Sequence, residues 1–68
     1  MDTQKLTPRE NSVAKLISMG YSSKYVANRL FISARTVEVH IEHIYEKLFI
    51  NSRDELIEMR EFGKLQLS

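Results

Sequence analysis

Cysteine is absent from the chain, so neither a disulfide nor a thiolate metal cluster can staple this small fold, and a reducing compartment suits it. Glycine occurs only twice, which leaves no glycine-rich loop to cradle nucleotide phosphates. Apolar runs last only a few residues, far short of the ~20 that span a bilayer, and the N-terminal MDTQKLTPRE has no signal-peptide apolar segment. No strand alternation, repeat or low-complexity segment interrupts the pattern. At 68 residues there is room for one domain and none for a deep pocket. A chain of this size buries only about 60% of its unfolded surface, so helix packing must be efficient. The absences point to a soluble, cytoplasmic, non-catalytic domain with no cofactor and no small-molecule ligand.

Charge is present in both signs, with a formal net of +1. Its distribution is uneven. Residues 1–37 carry six basic side chains (Lys5, Arg9, Lys15, Lys24, Arg29, Arg35) against Asp2 and Glu10, a net of +4. Residues 38–68 carry four (Lys47, Arg53, Arg60, Lys64) against seven acids, a net of −3. A polyanion is therefore expected to meet the first half of the chain.

Helical signals follow one another. Thr7-Pro8-Arg9-Glu10 reads as a capping box with proline at the first helical position, followed by a Val13, Leu16, Ile17 stripe and a terminating Gly20. Ser22 or Ser23 caps a short second helix with Val26, Ala27 and Leu30 inward. That helix runs into Phe31-Ile32 with neither glycine nor proline between. Ser33 caps a third helix over 34–48, in which Val37, Ile41, Ile44 and Leu48 fall within about 60° of one another on a helical wheel. Ser52-Arg53-Asp54-Glu55 reads as a second capping box, opening a fourth helix with Leu56 and Ile57 inward; Gly63 closes it and Lys64 to Ser68 form a loose tail. The expected fold is an all-α four-helix bundle forming a single domain, with an ordered core of about 6–63.

Two short helices joined by a tight apolar turn, the second longer and serine-capped, describe a helix-turn-helix. The segments LTPRE (6–10), GYSSKYVANRLFIS (20–33), TVEVH (36–40) and IYEKL (44–48), with Ser52-Arg53, closely resemble the LuxR-type (LuxR/FixJ/GerE) regulator domain over residues 6–60. The length is similar to that of small free-standing members, although an excised domain would look the same. The resemblance implies a tetrahelical domain that binds double-stranded DNA and dimerises, commonly through its last helix. Carried over by position, it puts Glu38, Val39 and Glu42 at base edges, and Ser23, Lys24 and Thr36 near phosphates. The family often has lysine at the places of Glu38 and Glu42, and glycine at Phe49.

Physical reasoning on the same residues adds Arg35 beside a helix N-terminus, where amides also favour phosphate, and His43 flanking Val39. Val39 falls about 180° from the core stripe, facing water or a thymine methyl. Glu38, Glu42 and Glu46 recur four apart. Their repulsion is small, about 0.2–0.5 kcal/mol per pair. They read as a solvated face, as a cytosine contact, or as an acidic surface for a basic protein such as another transcription regulator. Lys47 either contacts phosphate or pairs with Glu10. His40, His43 and Glu46 spell H-x-x-H-x-x-E, but successive i,i+3 steps drift by about 60° around the helix, so no metal site is expected. His40 is instead assigned to packing. Met59 and Phe62 project away from Leu56 and Ile57 as a second apolar stripe, the expected homodimer interface.

Overall fold

The computed structural model describes residues 6–62. Four helices follow in order, α1 (Pro8–Ser18), α2 (Ser23–Leu30), α3 (Ala34–Leu48) and α4 (Arg53–Glu61), giving the all-α, four-helix architecture read from the sequence. Gly63 and the tail Lys64 to Ser68 lie outside the described residues. No helix among those described is long and apolar enough to cross a membrane.

Each helix starts where a hydroxyl side chain can take an orphan amide. Thr7 Oγ1 accepts from Glu10 N at 3.1 Å while Glu10 Oε1 accepts from Thr7 N at 2.9 Å, closing the expected capping box with Pro8 at the first position. Ser22, not Ser23, caps α2, its Oγ accepting from Tyr25 N at 3.1 Å. Ser33 caps α3 through Thr36 N at 3.0 Å. At α4 the expected capping box is only half made. Ser52 Oγ accepts from Glu55 N at 3.4 Å, but the Glu55 carboxylate reaches one residue further back and takes Asn51 N at 2.9 Å.

The first three helices end alike. Beyond each, one residue turns left-handed: Gly20 (φ 97°), Phe31 (φ 60°) and Phe49 (φ 57°). The amide after it reaches back five residues, with Tyr21 N to Leu16 O at 3.2 Å, Ile32 N to Ala27 O at 3.0 Å and Ile50 N to Tyr45 O at 3.0 Å. This is the Schellman arrangement, in which the left-handed residue points outward and an apolar residue follows it inward. Accordingly Phe31 and Phe49 are exposed, whereas Ile50 is buried and Ile32 packs against the core.

Val13, Ala14 and Ile17 of α1, Val26 and Ala27 of α2, Val37 and Ile44 of α3, Ile50, and Leu56 of α4 form one buried cluster. Leu16, Leu30, Ile41 and Leu48 pack around it half-buried. α1 touches all three other helices, and α2 packs on α3. One buried carboxylate stitches the bundle. Glu10 is 4% exposed, and its Oε1 also takes Lys47 Nζ of α3 at 2.7 Å, so Lys47 has the structural role. Arg53 Nη1 donates to Tyr21 O at 3.0 Å, tying the start of α4 to the loop between α1 and α2. His40 is half-buried, and its buried Nδ1 has no hydrogen-bond partner among the described residues.

Candidate nucleic-acid interface

α2 and α3 are joined by three residues, Phe31 to Ser33, and the Schellman turn with the half-buried Ile32 packed on the core fixes how α3 leaves α2. The fifteen residues of α3 make a rod of about 22 Å. One side of it, through Val37 and Ile44, is sealed in the core. On the other side Arg35, Glu38, Glu42, His43 and Glu46 are exposed.

Val39 is half-buried, which differs from its expected full exposure to water. A short β-branched side chain on a helix is partly covered by neighbours three and four positions away, here Thr36 and the longer Arg35, Glu42 and His43. His43 sits at the edge of the outer face: its Nδ1 lies 3.9 Å from Glu10 Oε2 of α1. Glu38, Glu42 and Val39 therefore share the outward surface with Arg35, while His43 flanks it on the α1 side. Glu38, Glu42 and Glu46 have no ion-pair partner among the described residues.

The expected phosphate contacts occupy two helix starts. Ser23 and Lys24 are the first two residues of α2, Arg35 and Thr36 the second and third of α3. Lys24 and Arg35 are exposed, Ser23 and Thr36 half-buried. Because Ser22 does the capping, the Ser23 hydroxyl is not used as the cap of α2. The Thr36 hydroxyl lies 2.8 Å from Ser33 Oγ, so Thr36 braces the cap as well. The first two amides of each helix have no partner within it, and the positive dipole end stands behind them.

Glu10 anchors this surface from below. Burial alone pushes its carboxyl up. The Lys47 hydrogen bond, the Thr7 amide and the charges of Lys47 and His43 together outweigh burial, and its pKa lies below the ordinary value. The carboxylate thus stays charged and holds α3 against the N-terminus of α1.

Met59 and Phe62 do not form one open stripe. Met59 is half-buried against the core, and only Phe62, 72% exposed, is clearly on the surface. They line one shallow groove with Ile50, Glu55 and Glu58. Among the described residues no group of His, Asp and Glu is arranged to hold a metal.

The sequence pattern of the bacterial regulatory proteins, luxR family (GerE), matches residues 4–60. The chain belongs to the luxR family. That is a family of regulatory proteins and not of enzymes. Over 53 residues the chain is 49% identical to the provisionally named HTH-type transcriptional regulator Mb0914c of Mycobacterium bovis, covering 78% of this chain and 6% of that protein. It is 44% identical over 54 residues to the nitrate/nitrite response regulator protein NarL of Escherichia coli K12, covering 79% and 25%. With the oxygen regulatory protein NreC of Staphylococcus carnosus it shares 45% over 53 residues, covering 78% and 24%. The chain spans a quarter or less of the length of these relatives.

The turn at Phe49 has a left-handed φ that glycine adopts without strain, and this chain holds it with a phenylalanine. Phe31 does likewise, which the sequence reading missed because no glycine marks the spot. Reading the sequence also missed the Tyr21–Tyr25 ring stack and the Arg53–Tyr21 tie, both formed between residues whose roles depend on how the loop folds back.

Proposed function

We propose that the chain is the DNA-binding domain of a transcription regulator, with α3 entering the major groove. Glu38, Val39, Glu42 and His43 face base edges, and Ser23, Lys24, Arg35 and Thr36 hold phosphates. The observation that carries this reading is the outer face of α3: the bundle leaves it open from Arg35 to His43, next to two helix starts with free amides and exposed cations. Family membership supports the same reading. A carboxylate at Glu38 or Glu42 accepts from cytosine N4, and the half-buried Val39 offers methyls to thymine. Because glutamate repels the phosphate backbone, Lys24, Arg35 and the helix starts supply the grip.

A homodimer through α4 completes the proposal. Phe62 and the outer edge of Met59 form the apolar centre, and two α3 helices then read half-sites one turn, about 34 Å, apart. The second reading is a protein-interaction module in which the acidic face binds a basic partner, such as another regulator. It is favoured by the lack of any cation paired with Glu38, Glu42 or Glu46 among the described residues.

Fluorescence anisotropy with duplex DNA at increasing salt separates the two. The DNA reading predicts a steep loss of affinity with salt and a preference for a selected duplex over random sequence of at least about a thousandfold. Equal, weak binding to both duplexes would contradict it and favour the second reading.

A further inference from the structure

α1 and α2 enclose a groove lined by Ser12, Lys15, Leu16, Met19, Tyr21, Tyr25, Arg29 and Leu30, beginning beside the start of α2 but sharing no residue with the set assigned to DNA. We propose that this groove docks an acidic protein segment carrying aromatic or aliphatic side chains.

The first observation is its charge. Among the described residues, Lys15 and Arg29 are the only charged ones in the lining, both are basic, and neither is ion-paired. In a chain with nine acids, a groove with cations and no carboxylate selects for a partner of the opposite sign. The second observation is its aromatic floor. The rings of Tyr21 and Tyr25 stack with centroids 4.3 Å apart at 21°, yet 38% and 41% of these residues remain exposed, with Met19 beside them at 46%. A stacked pair is already ordered, so a partner gains large apolar contact at little entropic cost, a property of interface centres.

The third observation is Phe31. Tyr25 and Arg29 also line a neighbouring groove with Asn28 and Phe31, so the apolar patch runs on to a phenylalanine that is 94% exposed. Its left-handed backbone favours glycine, and its side chain contributes almost nothing to the core. The fold gives no reason for a phenylalanine there, and a partner lying across both grooves does. Single-stranded nucleic acid is the other chemistry that aromatics and cations suit. It fits less well, because the tyrosines already spend a ring face on each other.

No lining residue belongs to the set assigned to DNA, so failure here leaves the DNA reading untouched, and the converse holds. The test is amide chemical-shift titration of the full chain with a short peptide of aspartate and glutamate bearing one phenylalanine and one leucine. The controls are the same peptide with lysine for every acid, and a single-stranded oligonucleotide. The acidic peptide is expected to shift Lys15, Met19, Tyr21, Tyr25 and Arg29. Arg29→Glu should weaken it about tenfold, and Phe31→Gly by about threefold or more, while the Phe31→Gly chain melts no lower than the parent, which excludes misfolding as the cause. The proposal is overturned if neither peptide binds, if the two peptides bind alike, if only the oligonucleotide moves these signals, or if both variants bind like the parent.

Discussion

Replacing Phe31 by glycine should stabilise the protein, although it deletes an entire aromatic side chain. Phe31 sits at φ 60°, ψ 42°, where a residue with a β-carbon costs about 1–2 kcal/mol. Glycine removes that strain but loses about 0.5–1 kcal/mol to the greater freedom of the unfolded chain. Full burial of a phenylalanine is worth about 1.5–3 kcal/mol. At 94% exposure, Phe31 therefore forfeits only about 0.1–0.2 kcal/mol on removal. The balance is a gain of about 0.5 kcal/mol, or about 2–4 °C in melting temperature for a domain of this size. Phe31→Ala keeps the β-carbon and should not gain. Phe49→Gly, at φ 57° and 80% exposure, gives up more contact and should gain less. Urea unfolding followed by circular dichroism ranks the three. If Phe31→Gly unfolds at no more urea than Phe31→Ala, backbone strain is not what Phe31 imposes.

Three further outcomes are expected. Glu10 has its pKa lowered in the fold, so its stabilisation is full above the ordinary value of 4.5 and is lost as pH falls through the lowered value. Lys47→Met should raise the pH of acid unfolding and cost about 1–3 kcal/mol at neutral pH, read by urea titrations across pH; an unchanged acid midpoint would contradict the role given to this pair. Glu38→Lys with Glu42→Lys should tighten binding to random duplex, steepen its salt dependence by about 0.9 per phosphate newly contacted, and alter the sequence selected from a random library; an unaltered selection removes both residues from base reading. Phe62→Asp should shift sedimentation toward the monomer with the melting temperature nearly unchanged, whereas Met59→Asp should also destabilise the fold because Met59 packs on the core; an unaltered profile for Phe62→Asp removes α4 as the interface.

The four helices were legible because their signals are local. Thr7, Ser33 and Ser52 stand in front of apolar periodicity, and a hydroxyl needs no tertiary context to cap an amide. What depended on the chain folding back was harder to see. That Glu10 would serve both its own helix start and Lys47 could be named from charge and face, but only as one of two roles for Lys47. Met59 looked like surface on a wheel for α4 alone, and it is the core beneath α4 that half-covers it. Phe31 carried no turn signature, since glycine and asparagine are the usual markers of a left-handed residue and phenylalanine is not. For the candidate interface, the caps located the helix starts beside Lys24 and Arg35 and periodicity gave the outward side of α3, but it was the resemblance to the luxR family that pointed to Ser23, Thr36, Glu38 and Glu42. The drawing of His43 toward Glu10 followed from none of these, because that contact joins residues far apart in sequence.

The central claim is that an acid-bearing α3 enters a DNA groove while cations at the two helix starts hold the duplex. Amide chemical-shift mapping with a selected duplex at saturation tests it most directly. The largest shifts should fall between Arg35 and His43, with a second group at Ser23 and Lys24. If those signals stay still while the duplex binds elsewhere, or does not bind at all, α3 is not the reading helix of this chain.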